Sequence, residues 1–253
     1  MSALGTMRSN LDMQVVPIFR AIDRGDEVGA NFQHYVGTGF ILAEAGLLFT
    51  CWHCVDRPCE PGEAYFAMVD RNGDGMRHDV RLHDIEQDRT GLDIAIATID
   101  APPPVSRSLT FAIDADIATG VDVSTYGYSF TTRIIESANY DEPSWMLATR
   151  LFKGYLTTVL QWDGGDPHFR NGVRLLECDF PAPAGTSGSP IVLEDDRTVV
   201  VGMIYGDWSV NTEGRAVLTL ARGYHVDALL QASAAATGGE TVEKYLRGLA
   251  APK

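Results

Sequence analysis

Short apolar or alternating runs recur along the whole chain and are separated by glycine- and proline-bearing breaks, a pattern that predicts many short strands and tight turns. In the first half such runs fall at Gln14 to Ile22, Thr38 to Leu42, Leu47 to Cys51, Ala64 to Val69, Val80 to Ile85 and Asp93 to Ile99. Six strands of that length are enough to close one barrel. Ala101-Pro102-Pro103-Pro104 then breaks the pattern, because proline removes ladder donors and stiffens the chain, so the segment reads as the connection between two halves. Beyond it, Val121 to Tyr128, Met146 to Thr157, Val173 to Cys178, Pro190 to Leu193, Thr198 to Tyr205 and Ala216 to Ala221 supply about six more strands. Val226 to Ala236 and Glu240 to Leu249 are rich in alanine and leucine and are separated by Thr237-Gly238-Gly239, which predicts one or two closing helices. The expected fold is therefore all-β: a tail over 1–12, one antiparallel six-stranded barrel over 13–107, a second over 108–225, and a C-terminal helical segment over 226–253.

Composition agrees with this picture without selecting it. A chain of 253 residues with 45% hydrophobic side chains can bury a sizeable core as one unit or as two small barrels. A formal charge of −14 argues against nucleic acid or an anionic membrane as a partner and reads as a solvated acidic surface. No stretch approaches the apolar length that spans a bilayer, and Met1 to Met13 lacks the apolar core of a secretory signal, so a cytoplasmic location is expected.

Three segments carry candidate chemistry. Gly185-Thr186-Ser187-Gly188-Ser189-Pro190 sets a serine in a glycine-flanked turn, where its hydroxyl and the backbone N–H groups can face the same substrate. Phe49-Thr50-Cys51-Trp52-His53-Cys54-Val55 offers a general base at the end of one apolar run, and Leu92-Asp93-Ile94-Ala95 a carboxylate at the start of another. Taken singly, Ser187 also reads as a turn serine, His53 as a core histidine and Asp93 as a capping carboxylate. In the order His, Asp, Ser, with the first two in one half and the third in the other, they read together as a catalytic set. Asp84 and Asp88 compete with Asp93, but neither begins an apolar strand, and His34, His78, His83, His168 and His225 lack comparable context.

The motifs Thr50-x-x-His53-Cys54, Asp93-Ile94-Ala95 and Gly185-x-Ser187-Gly188-x-Pro190 resemble those of the trypsin-like (chymotrypsin-fold) serine peptidases over roughly residues 13 to 230. The resemblance is closest to the bacterial and intracellular branch that includes the Deg-type proteases, because Cys178 to Ala184 leads into the serine turn without the usual cysteine of secreted enzymes. It implies that His53, Asp93 and Ser187 form the triad of an endopeptidase and that the N–H groups of Gly185 and Ser187 hold the oxyanion. Protein or peptide substrates follow, with no cofactor. Digestive relatives carry aspartate before the nucleophile, paired with a new N-terminus after zymogen cleavage. Thr186 stands there in this chain, so the site is expected to be preformed or ordered by an activating protein partner. The primary pocket would have Pro181 and Ala182 at its base and Ile204-Tyr205-Gly206 as its wall, with Asp207 just beyond, which favours an apolar or small residue before the cut bond. Asp207 or Asp179 turned inward would favour a basic one; otherwise Asp207 is solvated and Asp179 holds its loop. The chain is too short for the appended peptide-binding domain of the Deg enzymes, leaving a stand-alone peptidase or one module of a longer protein. A catalytically silent relative that only binds peptides is the alternative.

Two further motifs compete for attention. Cys51, Cys54, Cys59 and His53 crowd one segment and invite a zinc reading, but such ligation would draw His53 from catalysis. Family members with a disulfide beside the catalytic histidine place its partner in the preceding strand; Gly37 to Leu42 contains no cysteine, so reduced buried thiols are expected. Asp70-Arg71-Asn72-Gly73-Asp74-Gly75 matches the opening of a calcium loop, yet Arg81 stands where the glutamate belongs, and the segment reads better as a hairpin turn.

Overall fold

The computed structural model describes residues 10–25, 30–70, 76–100, 102–113, 117–134, 144–163, 171–212 and 215–250. One turn of helix, α1 (Asn10–Gln14), leads into β1 (Val15–Asp23), β2 (Ala30–Leu42) and β3 (Leu47–Thr50). The short helix α2 (Trp52–Val55) precedes β4 (Glu63–Val69), β5 (His78–Gln87) and β6 (Ala95–Ile99). The six strands form a closed antiparallel barrel in the order β1-β2-β3-β6-β5-β4, completed where β1 pairs with β4 through Ile18 opposite Ala67.

The second half contains β7 (Thr110–Phe111), β8 (Asp122–Gly127), β9 (Thr132–Ile134), β10 (Ser144–Met146) and β11 (Arg150–Trp162). It continues with β12 (Val173–Cys178), β13 (Pro190–Leu193), β14 (Val199–Thr212) and β15 (Arg215–His225), then the helices α3 (Val226–Gln231) and α4 (Val242–Ala250). Strands β13-β8-β11-β12-β15-β14 pair in that order, and β13 also pairs with β14, so this sheet closes on itself as a second six-stranded barrel. The fold is thus two closed six-stranded barrels with a C-terminal helix, as expected.

Side chains from the connection lock the halves together. Phe40 and Phe49 stack at 5.4 Å, and Phe111 meets both edge-on, at 6.2 and 5.2 Å. Gln14, fully buried, accepts a bond from the Leu109 amide (2.7 Å) and donates to the Arg107 carbonyl (3.1 Å), so a polar residue in the core is satisfied by backbone the linker would otherwise leave bare. The C-terminal segment returns to the first barrel: Asp88 accepts from the Ser233 amide at 3.0 Å, and Glu86 from that of Ala235 at 2.7 Å.

The structure differs from the expected strands where one run serves two sheets. Met146 to Thr157 is not one strand: β10 pairs with β9 in a separate two-stranded sheet, while β11 pairs with β8 and β12. β2 begins at Ala30, well before Thr38, through a half-exposed stretch whose polar residues hide its strand character. Asp93 stands just ahead of β6 instead of opening it. β7, two residues long and parallel to β14, is too short to leave a pattern. β4 and β5 pair as a hairpin, Val69 opposite His78, although residues 71–75 of the calcium-like segment, like His168, lie outside the described residues.

His225 caps α3, its Nδ1 accepting from the Asp227 amide at 3.1 Å, with Nε2 buried and, among the described residues, without a hydrogen-bond partner. Burial pushes its pKa down to about 4, against a smaller upward pull from Asp227. The unfolded chain therefore binds more protons between pH 6.5 and 4, and stability present above pH 6.5 is lost as pH falls through that window. The expected loss is about 3 kcal/mol. Denaturant titrations across this range should show that slope in the wild type and a flatter one in His225→Asn, whose cap does not titrate; equal slopes contradict the assignment.

Candidate active site

His53 sits in the middle of α2, whose first turn is closed by the Cys54 amide donating to the Cys51 carbonyl at 3.2 Å. Asp93 faces it from the turn before β6. One carboxylate oxygen accepts the His53 amide at 2.8 Å and the other lies 2.6 Å from Nδ1, so Asp93 holds both the backbone and the ring of the same residue. A carboxylate can only accept, which places the proton on Nδ1 and leaves Nε2 as the free acceptor. Asp93 is itself held: its amide donates to the Tyr224 hydroxyl at 3.1 Å, and its carbonyl accepts from Trp52 at 3.4 Å. The hydrogen bond to Asp93 first, then the Cys54 side chain, raises the proton affinity of His53 above the ordinary imidazole range, with burial opposing.

The serine turn is built from the other barrel. The Thr186 amide and hydroxyl both donate to the Pro183 carbonyl, at 3.1 and 2.7 Å, Ser189 donates to Thr186 at 2.9 Å and Gly188 to Ile204 at 2.8 Å. Gly185 and Gly188 have φ of 94° and 86°, conformations that a side chain disfavours. Among the described residues, the amides of Gly185 and Ser187 are the two in this turn that donate to no protein acceptor. The Gly185 carbonyl is fixed from the first barrel, by the Thr38 hydroxyl at 2.6 Å and that of Tyr35 at 2.8 Å.

β2 brings the two pieces together. The Thr38 amide donates to the Ser187 carbonyl at 3.0 Å, and a Cβ on Gly37 would lie 2.6 Å from Cys54 Sγ and 3.3 Å from the Ser187 carbonyl oxygen. Only a glycine allows the helix bearing His53 and the turn bearing Ser187 to approach so closely. The Cys51 thiol and the Gly188 amide share the Ile204 carbonyl as acceptor, tying both pieces to β14. The Ser187 hydroxyl points to the Tyr205 carbonyl at 3.4 Å; among the described residues this, not the imidazole, is its hydrogen-bond partner.

Of the expected pocket residues, Tyr205 is thereby placed beside Ser187. Ile204 is buried, Ala182 half-buried, Pro181 exposed, and Gly206 faces open space. Asp207 is exposed in the β14–β15 ladder opposite Ala221. Asp179 accepts from the Tyr155 amide at 2.7 Å, so it holds the loop leading to the serine turn. The rival carboxylates have other partners: Asp88 binds Thr90 and Ser233, and Asp84 accepts from Thr98.

Cys51, Cys54 and Cys178 are buried free thiols, and Cys59 is an exposed one. Burial raises the pKa of Cys51 and Cys178, which keeps both protonated. Among the described residues, Cys51, His53 and Asp93 offer ligand atoms within 4.8 Å of one another, a group that omits Cys54 and Cys59 from the zinc reading. A protonated thiol already donating to Ile204 and an imidazole engaged by Asp93 make a poor fit to a metal ion. Tyr35, Thr38 and Tyr224 are the site residues that sequence reading misses, since nothing local distinguishes them from core or strand residues.

No helix among the described residues is long and apolar enough to cross a membrane. No curated protein matches the chain. Among solved structures, Rv3671c protease in its inactive form is 16% identical, with a TM-score of 0.55 over 95% of this chain and 91% of that one. The inactive form of a serine-to-alanine mutant of Rv3671c from M. tuberculosis H37Rv is likewise 16% identical, with a TM-score of 0.52 over 95% and 88%. At that identity the likeness is one of fold. The model of the trypsin-like peptidase domain matches residues 37–203, a span that includes α2, Asp93 and the serine turn. Matching well over half of the sequence, it shows that the chain belongs to the trypsin-like peptidase family and is a serine protease of that kind.

Proposed function

We propose that the chain is a serine endopeptidase whose triad is His53, Asp93 and Ser187. The observation that carries this reading is the double grip of Asp93 on His53, which leaves Nε2 as the one ring atom free to accept a proton. As Ser187 Oγ forms a bond to the substrate carbonyl carbon, its proton passes to Nε2 and the C=O electron pair moves onto oxygen. Asp93 stabilises the imidazolium. The Gly185 and Ser187 amides receive the oxyanion, each worth on the order of 3 kcal/mol in the transition state. The C–N bond then breaks, Nε2 returns the proton to the departing amine, and water repeats the sequence on the acyl-enzyme. The Ser187 hydroxyl reaches Nε2 by rotating away from Tyr205, a resting arrangement common before substrate binds.

The aspartate that would pair with a new N-terminus has no counterpart before Ser187. The position before the nucleophile is Thr186, whose hydroxyl is satisfied within its own turn, and the peptide after Gly185 is held by Tyr35 and Thr38. Both features support a preformed oxyanion site. With Asp179 engaged and Asp207 exposed, Pro181, Ala182, Ile204, Tyr205 and Gly206 favour an apolar or small residue before the cut bond; strong selectivity for arginine contradicts this. A fluorophosphonate should label the wild type and fail to label Ser187→Ala, whereas a folded wild type that resists labelling supports a silent, peptide-binding relative.

A further inference from the structure

His53 and Cys54 border a cavity of about 270 Å³ whose lining also includes Arg20, His34, Tyr35, Arg57 and Tyr65. Its charge runs against that of the protein. The chain has a formal charge of −14, yet among the described residues no Asp or Glu lines this cavity, while two arginines do. Arg20 is ion-paired with Glu63, 3.6 Å from Nε, and that Nε is buried without a hydrogen bond among the described residues. Arg57 is exposed and, among the described residues, its guanidinium has no ion pair; its backbone is fixed by the Tyr65 hydroxyl donating to its carbonyl at 2.7 Å. A cationic hollow in an acidic surface concentrates field and attracts anions.

Its place in the reaction follows from the proposed function, on which this inference rests. In that reading the expected pocket wall Ile204-Tyr205-Gly206 puts the acyl half of a substrate against β14, and His53 delivers its proton to the departing amine, so the residues after the cut bond leave past His53, where the cavity is lined from β1, β2 and β4. The cavity touches His53 itself, and one extended residue spans about 3.3 Å, which puts the first or second residue beyond the bond within reach. We infer that this cavity is a carboxylate-binding subsite, with Arg57 and Arg20 selecting substrates that carry a carboxylate just after the cleaved bond. That carboxylate is an acidic side chain or the free end of the substrate.

The test uses peptides identical up to the cut residue. One carries Glu in the two positions beyond it with an amidated end, the second Gln with an amidated end, and the third Gln with a free carboxyl end at the second position. The Glu peptide, the free-ended peptide or both should show about tenfold higher kcat/KM than the amidated Gln peptide, mostly through KM. The preference should shrink toward one in Arg57→Gln and in roughly 1 M salt, where screening acts within about 3 Å. Which of the two carboxylates is favoured identifies its source. Equal rates for all three, or a preference that survives both Arg57→Gln and Arg20→Gln, overturns the subsite while leaving the peptidase standing. If the wild type cuts none of them and resists fluorophosphonate labelling, the underlying reading falls and the subsite with it.

Discussion

Replacing Asp93 by asparagine should lower kcat by about 10⁴-fold while leaving the fold intact. Asparagine keeps an oxygen for the His53 amide, the 2.8 Å bond, so α2 stays in place. At Nδ1 it presents an N–H₂ where a carboxylate oxygen stood at 2.6 Å. The ring must then accept at Nδ1 and carry its proton on Nε2, the tautomer that cannot take a proton from Ser187. The same change alters the pH profile. In the wild type Asp93 raises the affinity of His53 for its proton, and only the neutral ring is a base, so kcat/KM should rise with pH along a limb centred above 6.5. In Asp93→Asn the residual activity should shift that limb downward. A loss of less than tenfold, or an unmoved limb, would show that Asp93 does not act through the imidazole.

Gly188→Ala should destabilise the protein by about 2 to 5 kcal/mol, from a positive-φ penalty added to overpacking. Its φ is 86°, and a Cβ there would be driven into the Thr38 carbonyl and the Thr50 hydroxyl. Thr50 cannot swing aside cheaply, because its hydroxyl is buried and donates to that same Thr38 carbonyl at 2.7 Å. In a chain of this size the melting temperature should fall by roughly 10 °C. Gly248→Ala is the matched control: it lies within α4 with open space around it, so alanine there should be neutral or stabilising by up to about 1 kcal/mol. Equal melting temperatures for the two variants would mean that the serine turn is not clamped by the first barrel.

The sequence and the structure part company for identifiable reasons. Runs such as Leu47 to Cys51 and Val173 to Cys178 show their strands plainly, because one face or both are packed and the apolar pattern is dense. The half-exposed start of β2 and the two-residue β7 owe their strand character to pairing partners distant in sequence, and pairing leaves no mark on composition. The site divides in the same way. The proposed triad of His53, Asp93 and Ser187 is legible because a nucleophile, a base and a carboxylate need particular residue types in particular turns. Tyr224, Thr38 and Tyr35 act through hydroxyls on backbone groups 131, 147 and 150 residues away, contacts that only closure of both barrels creates. The cationic hollow is hidden likewise, since Arg20 comes from β1, His34 from β2 and Arg57 from the loop after α2.

The most direct measurement is to find which atom becomes acylated. The wild type, reacted with an active-site-directed fluorophosphonate and digested, should yield one modified peptide carrying the adduct on Ser187. The rate of modification should climb with pH as His53 loses its proton, and Ser187→Ala should take up none. An adduct on another residue, or uptake by Ser187→Ala equal to that of the wild type, would contradict the assignment of Ser187 as the nucleophile.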